Sequence, residues 1–577
     1  MKGRVIDVNN MDADVIVIGA GAGGAVVAKE LGEKGIRVLL LEAGPWYGNS
    51  EWPAPNQEPG AISSLNYGSL NINVLDGEFT DYEDDMNDPI SGKLRWGPAD
   101  RNQPPWTRVL LQDGYTSQVA GVGGTTLHYF ANSPRAFPIS IDNIWPISYE
   151  ELVPYYERVE QTLPVNPAPA ASKEAMFNYG ARQAGWQLID SPDVTSPGFR
   201  PQPNAILRVN PQLLNPDFDL STNRTVGCVM RGHCVNGCHI GPTIEGVAKR
   251  STFVSYIPRA LSTGNVEVRP NTFVTRILTG ENAGEGMHAT GVQYRNTWTG
   301  ETGELRAGVV VMSAGGVETP RLWLNSGLPD NGWVGKGLTN HWFDCVAGIF
   351  DEHKIMDVLG VSDIKPFVGQ NAGSRLDIPG LGSVEEFGTS PGIFSRWLYS
   401  SSRKGFAALN PVAPDAPWDM EGIIAGEPLK EIMRSYQRTL NILILTDDEV
   451  NQSNSITLDP ELRDENGFLP VINYQPSEED ARKREQLSAI AAELLRNAGA
   501  KTVIRSDMLP GIFYHIMSTM RMGYVTDTDC EANDVKRIYI ADTSVLYNGI
   551  GGPNPTLTCQ ALATRTAEKI AAKYFGV

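Results

Sequence analysis

Val15-Ile16-Val17-Ile18-Gly19-Ala20-Gly21-Ala22-Gly23-Gly24 decides the fold. Four β-branched residues in a row predict a strand buried on both faces. The glycines turn the chain, Ala25–Glu33 reads as a helix, and Val38–Leu41 reads as a second buried strand. That is a βαβ unit, the opening of a doubly wound α/β fold. Gly19, Gly21 and Gly24 fit G-x-G-x-x-G. The first allows the tight turn, the second admits a pyrophosphate, and the third lets helix and strand pack. The helix N-terminus then faces the phosphates. Glu42 closes the second strand, 23 residues after Gly19, where a carboxylate takes ribose hydroxyls. An acid there disfavours a 2′-phosphate, so NAD or FAD is expected rather than NADP. A glycine-rich packing turn is the plainer alternative.

Working outward, the 577 residues can bury a large core in two or more domains. Lys plus Arg number 48 against 67 Asp plus Glu, a net charge of −19. A chain this acidic does not bind nucleic acid or an anionic membrane through a general basic surface. The longest apolar run, Val15–Ala28, is fourteen residues and broken by four glycines. Asp7, Asp12 and Asp14 outweigh Lys2 and Arg4 before it, so no export signal or anchor is expected in the chain itself.

Six cysteines make no disulfide scaffold, but Cys228, Cys234 and Cys238 fall within eleven residues, spaced C-x5-C-x3-C. Close thiolates bind soft iron or zinc. A ferredoxin-like run would place another Cys near position 231, which is Arg231. Three thiolates suit a [3Fe-4S] cluster. His233 or His239 completing a Cys3His zinc site is one alternative, and reduced, buried, inert thiols are another.

Several segments resemble the glucose-methanol-choline (GMC) flavoenzyme oxidoreductases, over nearly the whole chain. They are Leu41-Glu42-Ala43-Gly44, Val122-Gly123-Gly124-Thr125-Thr126, Asn271-Thr272-Phe273-Val274 and Gly337-Leu338-Thr339-Asn340-His341. The most specific run from Ile540-Ala541-Asp542-Thr543-Ser544 to Asn554-Pro555-Thr556-Leu557-Thr558. The resemblance implies FAD, contacted by Gly19, Gly21, Gly24, Glu42, Gly123, Gly124, Thr125, His128, Val274, Asp542, Asn554 and Thr556. It makes His515 the base that takes the proton of an alcohol, a task suited to imidazole. Asn554 orients the hydroxyl, since an amide donates and accepts at once. Ser518-Thr519-Met520 departs from the family's usual Gly-Thr-Cys, which bears on substrate shape. His128 stands at an offset similar to the flavin-linked His of pyranose oxidases; packing near the flavin is the plainer reading.

The cysteine pattern is similar to the large subunits of bacterial glucose, fructose and related sugar dehydrogenases within the family. It implies oxidation of a sugar, glycoside or cyclitol with electrons passed through the cluster to a cytochrome. A small subunit carrying the export signal would allow periplasmic work; a cytoplasmic location stays equally open. A family oxidase releasing H2O2, a lyase with a structural flavin, a non-catalytic electron-transfer subunit and an NAD enzyme are the rivals.

The fold expected is α/β: a Rossmann-type FAD-binding domain from discontinuous segments plus a mixed α+β substrate-binding domain. Residues 10–45, 111–345 and 506–577 form the first, 346–505 the second, and 46–110 an irregular insertion or lid. Trp46, Trp52, Trp96, Trp106 and Tyr115, in or beside that insertion, suit stacking on sugar rings or ordinary packing. Ser148 with Glu151, and Ser477 with Asp480, predict capped helices, the second stopped by Gly499. His341 and His353 read as structural or substrate-domain residues, His288 as a solvated loop residue, and Asp447-Asp448-Glu449 as a solvated turn.

Overall fold

The computed structural model describes residues 11–44, 46, 107–109, 114–210, 227–230, 232, 234, 246–284, 286–297, 299–400, 402–407 and 411–577. Almost all of the insertion at 46–110 therefore lies outside the described residues, with Trp52, Trp96 and Trp106. So do Cys238, His233 and His239.

The opening run forms the strand Ala13–Ile18, the helix Gly24–Glu33 and the strand Val38–Leu41. Val15, Ile16 and Val17 are fully buried, each contributing about 1.5–3 kcal/mol by leaving water. Parallel pairing places Val15 opposite Val38 on one side and opposite Val309 on the other. Val266–Arg269 adds a parallel strand outside Val38–Leu41. The long strand Thr302–Met312 does two jobs. Its second half joins the parallel core, with Ile538–Ile540 on its far side. Its first half closes an antiparallel meander with Gly286–Asn296 and Thr272–Asn282. The C-terminal segment thus returns to the same sheet, as a discontinuous nucleotide-binding domain requires. A β-carbon on Gly24 would meet the Gly19 carbonyl oxygen at 1.9 Å, so only glycine lets the helix lie this close to the turn.

The second sheet runs Met420–Glu421, Thr502–Ser506, Phe343–Ile349, Thr439–Thr446, Gly382–Glu386, Ser374–Ile378, Gly198–Pro201. Helices Ser172–Gln183 and Glu478–Ala498 pack against it over Val346, Leu440, Ile442 and Leu494. The sheet thus draws Gly198–Pro201 and the start of Phe343–Ile349 from outside 346–505. Strand pairing with the Ser374–Ile378 edge, rather than sequence proximity, sets that boundary.

Both capped helices form. Ser148 accepts from the Glu151 amide at the head of Tyr149–Thr162. Ser477 and Asp480 cap each other at the head of Glu478–Ala498, and Gly499 ends it at φ +97°. Two polar readings need correction. His288 lies buried on the strand Gly286–Asn296, its Nδ1 3.0 Å from the Gly286 carbonyl, because the meander covers it. Asp448 is buried rather than solvated, accepting from the Thr446 and Tyr474 hydroxyls; burial, then Asp480, holds its carboxyl well above the usual range. Among the described residues no helix is long and apolar enough to cross a membrane.

Candidate active site

A cavity of about 500 Å³ runs between the two sheets, within the usual span for a ligand site. At one end its wall is the glycine turn. Gly19 and Gly21 line it, and a β-carbon on Gly21 would meet nothing nearer than 3.9 Å. The backbone there is bare toward the cavity, ready for a pyrophosphate. The second glycine loop interlocks with the first: the Gly123 amide donates to the Ala20 carbonyl at 3.0 Å. Gly123 and Gly124 hold φ +111° and +52°, and a β-carbon on Gly124 would come within 2.8 Å of the Gly21 Cα. Thr126 and Thr252 fasten this loop through their hydroxyls.

Glu42 sits where these loops meet. Its carboxylate accepts from the amides of Ala20 (2.8 Å), Gly44 (2.9 Å) and Gly121 (3.0 Å). Burial pushes its pKa up to about 7 although those amides pull it down. The acid assigned from sequence to ribose therefore also ties three loops together. Glu42→Ala leaves three buried amides unpaired, each costly. Affinity for FAD is expected to fall tenfold or more, read by fluorescence titration of the apoprotein; unchanged affinity would show that the loops hold themselves.

Val274 of the strand Thr272–Asn282, Ser313 to Gly316, Asp542 and Thr556 line the same cavity, as do Thr125 and His128. Asp542 accepts from the Gly315 amide and the Thr319 hydroxyl and so joins the two strand ends that flank the turn. The glycine cradle, the ribose-side carboxylate and the length of the cavity fit a dinucleotide such as FAD.

At the other end stand His515 and Asn554, brought together from the segment after Gly511–Phe513 and the head of the helix Thr556–Ile570. Phe343, Phe387, Trp397, Leu443 and Met508 give this end an apolar, aromatic wall. Burial, with the neighbouring His341, lowers the His515 pKa well below that of free imidazole. A neutral ring at pH 7 is what a proton acceptor needs.

His341 is the functional residue that sequence reasoning missed. Its Nδ1 lies 2.9 Å from His515 Nδ1, and its Nε2 lies 2.7 Å from the Gly549 carbonyl oxygen. A carbonyl only accepts, so His341 Nε2 carries the proton. Burial lowers the His341 pKa to about 4, so its ring is neutral and Nδ1 is a lone pair. His515 must then donate through its own Nδ1, which leaves its Nε2 free as a base. The Gly549 loop is braced in turn: Asp447 accepts from the Gly551 amide at 3.0 Å and its carbonyl accepts from Lys483. The supposed solvated turn at Asp447 thus supports the catalytic loop. The Thr339-Asn340-His341 motif was visible; nothing in the sequence told which strand would face His515.

Asn554 is also fixed. Its Oδ1 accepts at 3.3 Å from Arg375, whose guanidinium also donates to Glu385 at 2.8 Å. Cys228 and Cys234 are buried apart from these groups, and among the described residues no group of three His, Cys, Asp or Glu side chains is placed to hold a metal ion. Cys238, the third cysteine of the triplet, lies outside the described residues.

Two models of the GMC oxidoreductase family match residues 220–343 and 450–563, and an NAD(P)-binding Rossmann-like domain model matches residues 17–70. The chain is 27% identical to 2-methyl-1,2-propanediol dehydrogenase of Mycolicibacterium austroafricanum, over 97% of this chain and 95% of that protein. It is 26% identical to the fructose dehydrogenase large subunit of Gluconobacter japonicus, over 97% and 98%. It is 25% identical to 6'''-hydroxyparomomycin C oxidase of Streptomyces lividus, over 97% and 91%. The fold is similar to the crystal structure of pyridoxine 4-oxidase from Mesorbium loti, with a TM-score of 0.59 and 14% identity over 97% of this chain and 99% of that one.

Proposed function

We propose, for a chain that belongs to the GMC oxidoreductase family, that it oxidises a CH–OH group of a sugar, glycoside or cyclitol to a carbonyl. FAD, the cofactor of this family, supplies the two-electron oxidant for that step when bound. The observation that carries the reading is the proton inventory at the inner end of the cavity. His515 Nε2 is the ring nitrogen of the pair whose lone pair is not taken up in the His341–His515–Gly549 chain, and it accepts the hydroxyl proton. Asn554, held by Arg375, presents its amide to the same oxygen and orients it. The aromatic wall excludes water from the reacting carbon, and its rings suit the faces of a sugar. The relatives support the substrate class: a diol dehydrogenase, a fructose dehydrogenase and an aminoglycoside oxidase are all similar over nearly the full chain.

For the electrons we propose an external acceptor other than oxygen, reached through an iron–sulfur cluster at Cys228, Cys234 and Cys238, with a small subunit or cytochrome as partner. The cysteine spacing supports this, as does one contact. The buried Lys249 ammonium bridges the Cys234 carbonyl to those of Leu127 and Tyr129, tying the cysteine segment to the flavin-side loop. No catalytic step above depends on the cluster. The oxidase reading is favoured instead by the similarity to two oxidases.

The test is anaerobic mixing of the FAD-loaded protein with sugars and cyclitols, followed by flavin bleaching, together with iron analysis. Bleaching with about three irons per chain is expected. Bleaching without iron, and with peroxide formed on admitting air, would turn the assignment to an oxidase. No bleaching by any of them would overturn the alcohol oxidation itself.

A further inference from the structure

Beside Asn554 lies a group of charges of which the oxidation uses only the Arg375 bond to Asn554. Arg375 and Glu385 face each other across the hairpin Ser374–Ile378/Gly382–Glu386. Arg375 is fully buried and donates to Glu385 (2.8 Å), Asp377 (2.7 Å), Ser383 (2.7 Å) and Gln202 (3.2 Å) as well as Asn554. Arg200 donates to Asp377 from the neighbouring strand at 2.9 Å, so two cations balance two carboxylates. Only Glu385 of these four reaches the cavity. Asn132 lines the cavity next to it and donates its amide to Glu385 Oε2 at 3.0 Å. The Asn132 Oδ1 is buried and has no hydrogen-bond partner among the described residues. Buried acceptors of this kind are normally satisfied, and one left open in a ligand cavity asks for a donor from the ligand.

We propose that Glu385 and Asn132 form a subsite that reads a second hydroxyl, so that the substrate is a vicinal diol unit. The inference rests on the alcohol-oxidising reading above and adds the feature that selects the substrate. Arg375 Nη1 donates to both Asn554 Oδ1 (3.3 Å) and Glu385 Oε1 (2.8 Å), which sets the two side chains next to each other on the cavity wall. Ligand oxygens held at two neighbouring side chains suit two gauche hydroxyls on neighbouring carbons. The second hydroxyl donates to the carboxylate or to Asn132 Oδ1, both acceptors, and receives the Asn132 amide in return. Burial raises the Glu385 pKa and Arg375 offsets part of that rise; the same guanidinium fixes Asn554 and so aligns the orienting amide with the reader. A substrate lacking the second hydroxyl leaves the buried Asn132 Oδ1 unpaired, which is how sites reject deoxy analogues strongly.

The experiment uses the FAD-loaded full chain and matched pairs: D-glucose with 2-deoxy-D-glucose, myo-inositol with its monodeoxy analogue, and cyclohexane-1,2-diol with cyclohexanol. Anaerobic flavin bleaching gives rates, and thermal shift gives binding. The wild type is expected to favour the diol member at least tenfold in both readouts. The ratio is expected to fall at least fivefold in Glu385→Gln. Asn132→Ala, an uncharged change that spares the buried ion pairs, is expected to do the same. Selectivity retained in both variants, or absent in the wild type while alcohols still bleach the flavin, overturns the subsite and leaves the oxidation standing. Bleaching by no member of any pair overturns the oxidation itself.

Discussion

His515→Ala lowers the rate of substrate-driven flavin bleaching by about 10³-fold, while FAD content and visible spectrum stay those of the wild type. General-base catalysis contributes about 10²–10⁴-fold, and a thousandfold loss corresponds to about 4 kcal/mol of barrier. More than the lower end of that range is expected because the lone pair on His515 Nε2 is set by a fixed hydrogen-bond chain. The bonds of His515 run to Asn340 and His341 rather than to the glycine loops that cradle the dinucleotide, so cofactor retention is the control. A variant that bleaches within tenfold of the wild type would remove His515 from the proton-accepting role. The pH profile carries the same assignment. Burial lowers the His515 pKa well below 6.5, so the base is already neutral at pH 7. The bleaching rate of the wild type is expected to be flat from neutral to alkaline pH and to fall only in acid. Stability follows the same sign. A histidine whose folded pKa is lowered contributes stability fully present above the unfolded value and lost as pH falls toward the folded one.

The two ends of the chain declared the fold because their patterns are local. The run Val15–Ile18 needs no partner to be recognised as a strand buried on both faces, and the spacing of Gly19, Gly21 and Gly24 states the turn geometry outright. His515 and Asn554 were legible through their motifs. What was not legible depends on pairing across the chain. His341 looks structural until the bridge between Thr339 and Met517 sets its ring against His515. Arg375 and Glu385 sit on strands whose every position is buried, where alternation of polar and apolar residues gives no inside and no outside. Charges in such a strand are the available signal: they are costly to bury unless paired, and the hairpin register pairs them. Asp447 and Asp448 show the reverse: an acidic run reads as solvated, and the loop at Gly551 and the head of Glu478–Ala498 pack on it.

The second large effect is expected at His341, through His515 rather than on substrate. With His341→Ala, nothing obliges His515 Nδ1 to carry the proton, and its ring is free to present either nitrogen to the cavity. Only the fraction in the correct tautomer and rotamer then accepts the hydroxyl proton, and bleaching is expected to slow by about 10²-fold. His341→Asn distinguishes a proton-directing role from simple packing. Its amide nitrogen can donate to the Gly549 carbonyl while its oxygen accepts from His515, so it is expected to recover about tenfold of the loss. The pH profile supplies the readout that packing would not move. Burial and the His341 ring together lower the His515 pKa. His341→Ala opens space for water beside His515 and removes that ring, so the acid limb is expected to move toward higher pH. His341→Asn keeps the site filled and should move it less. Equal losses in the two variants with an unmoved acid limb would make His341 a packing residue and leave the tautomer of His515 to some other contact.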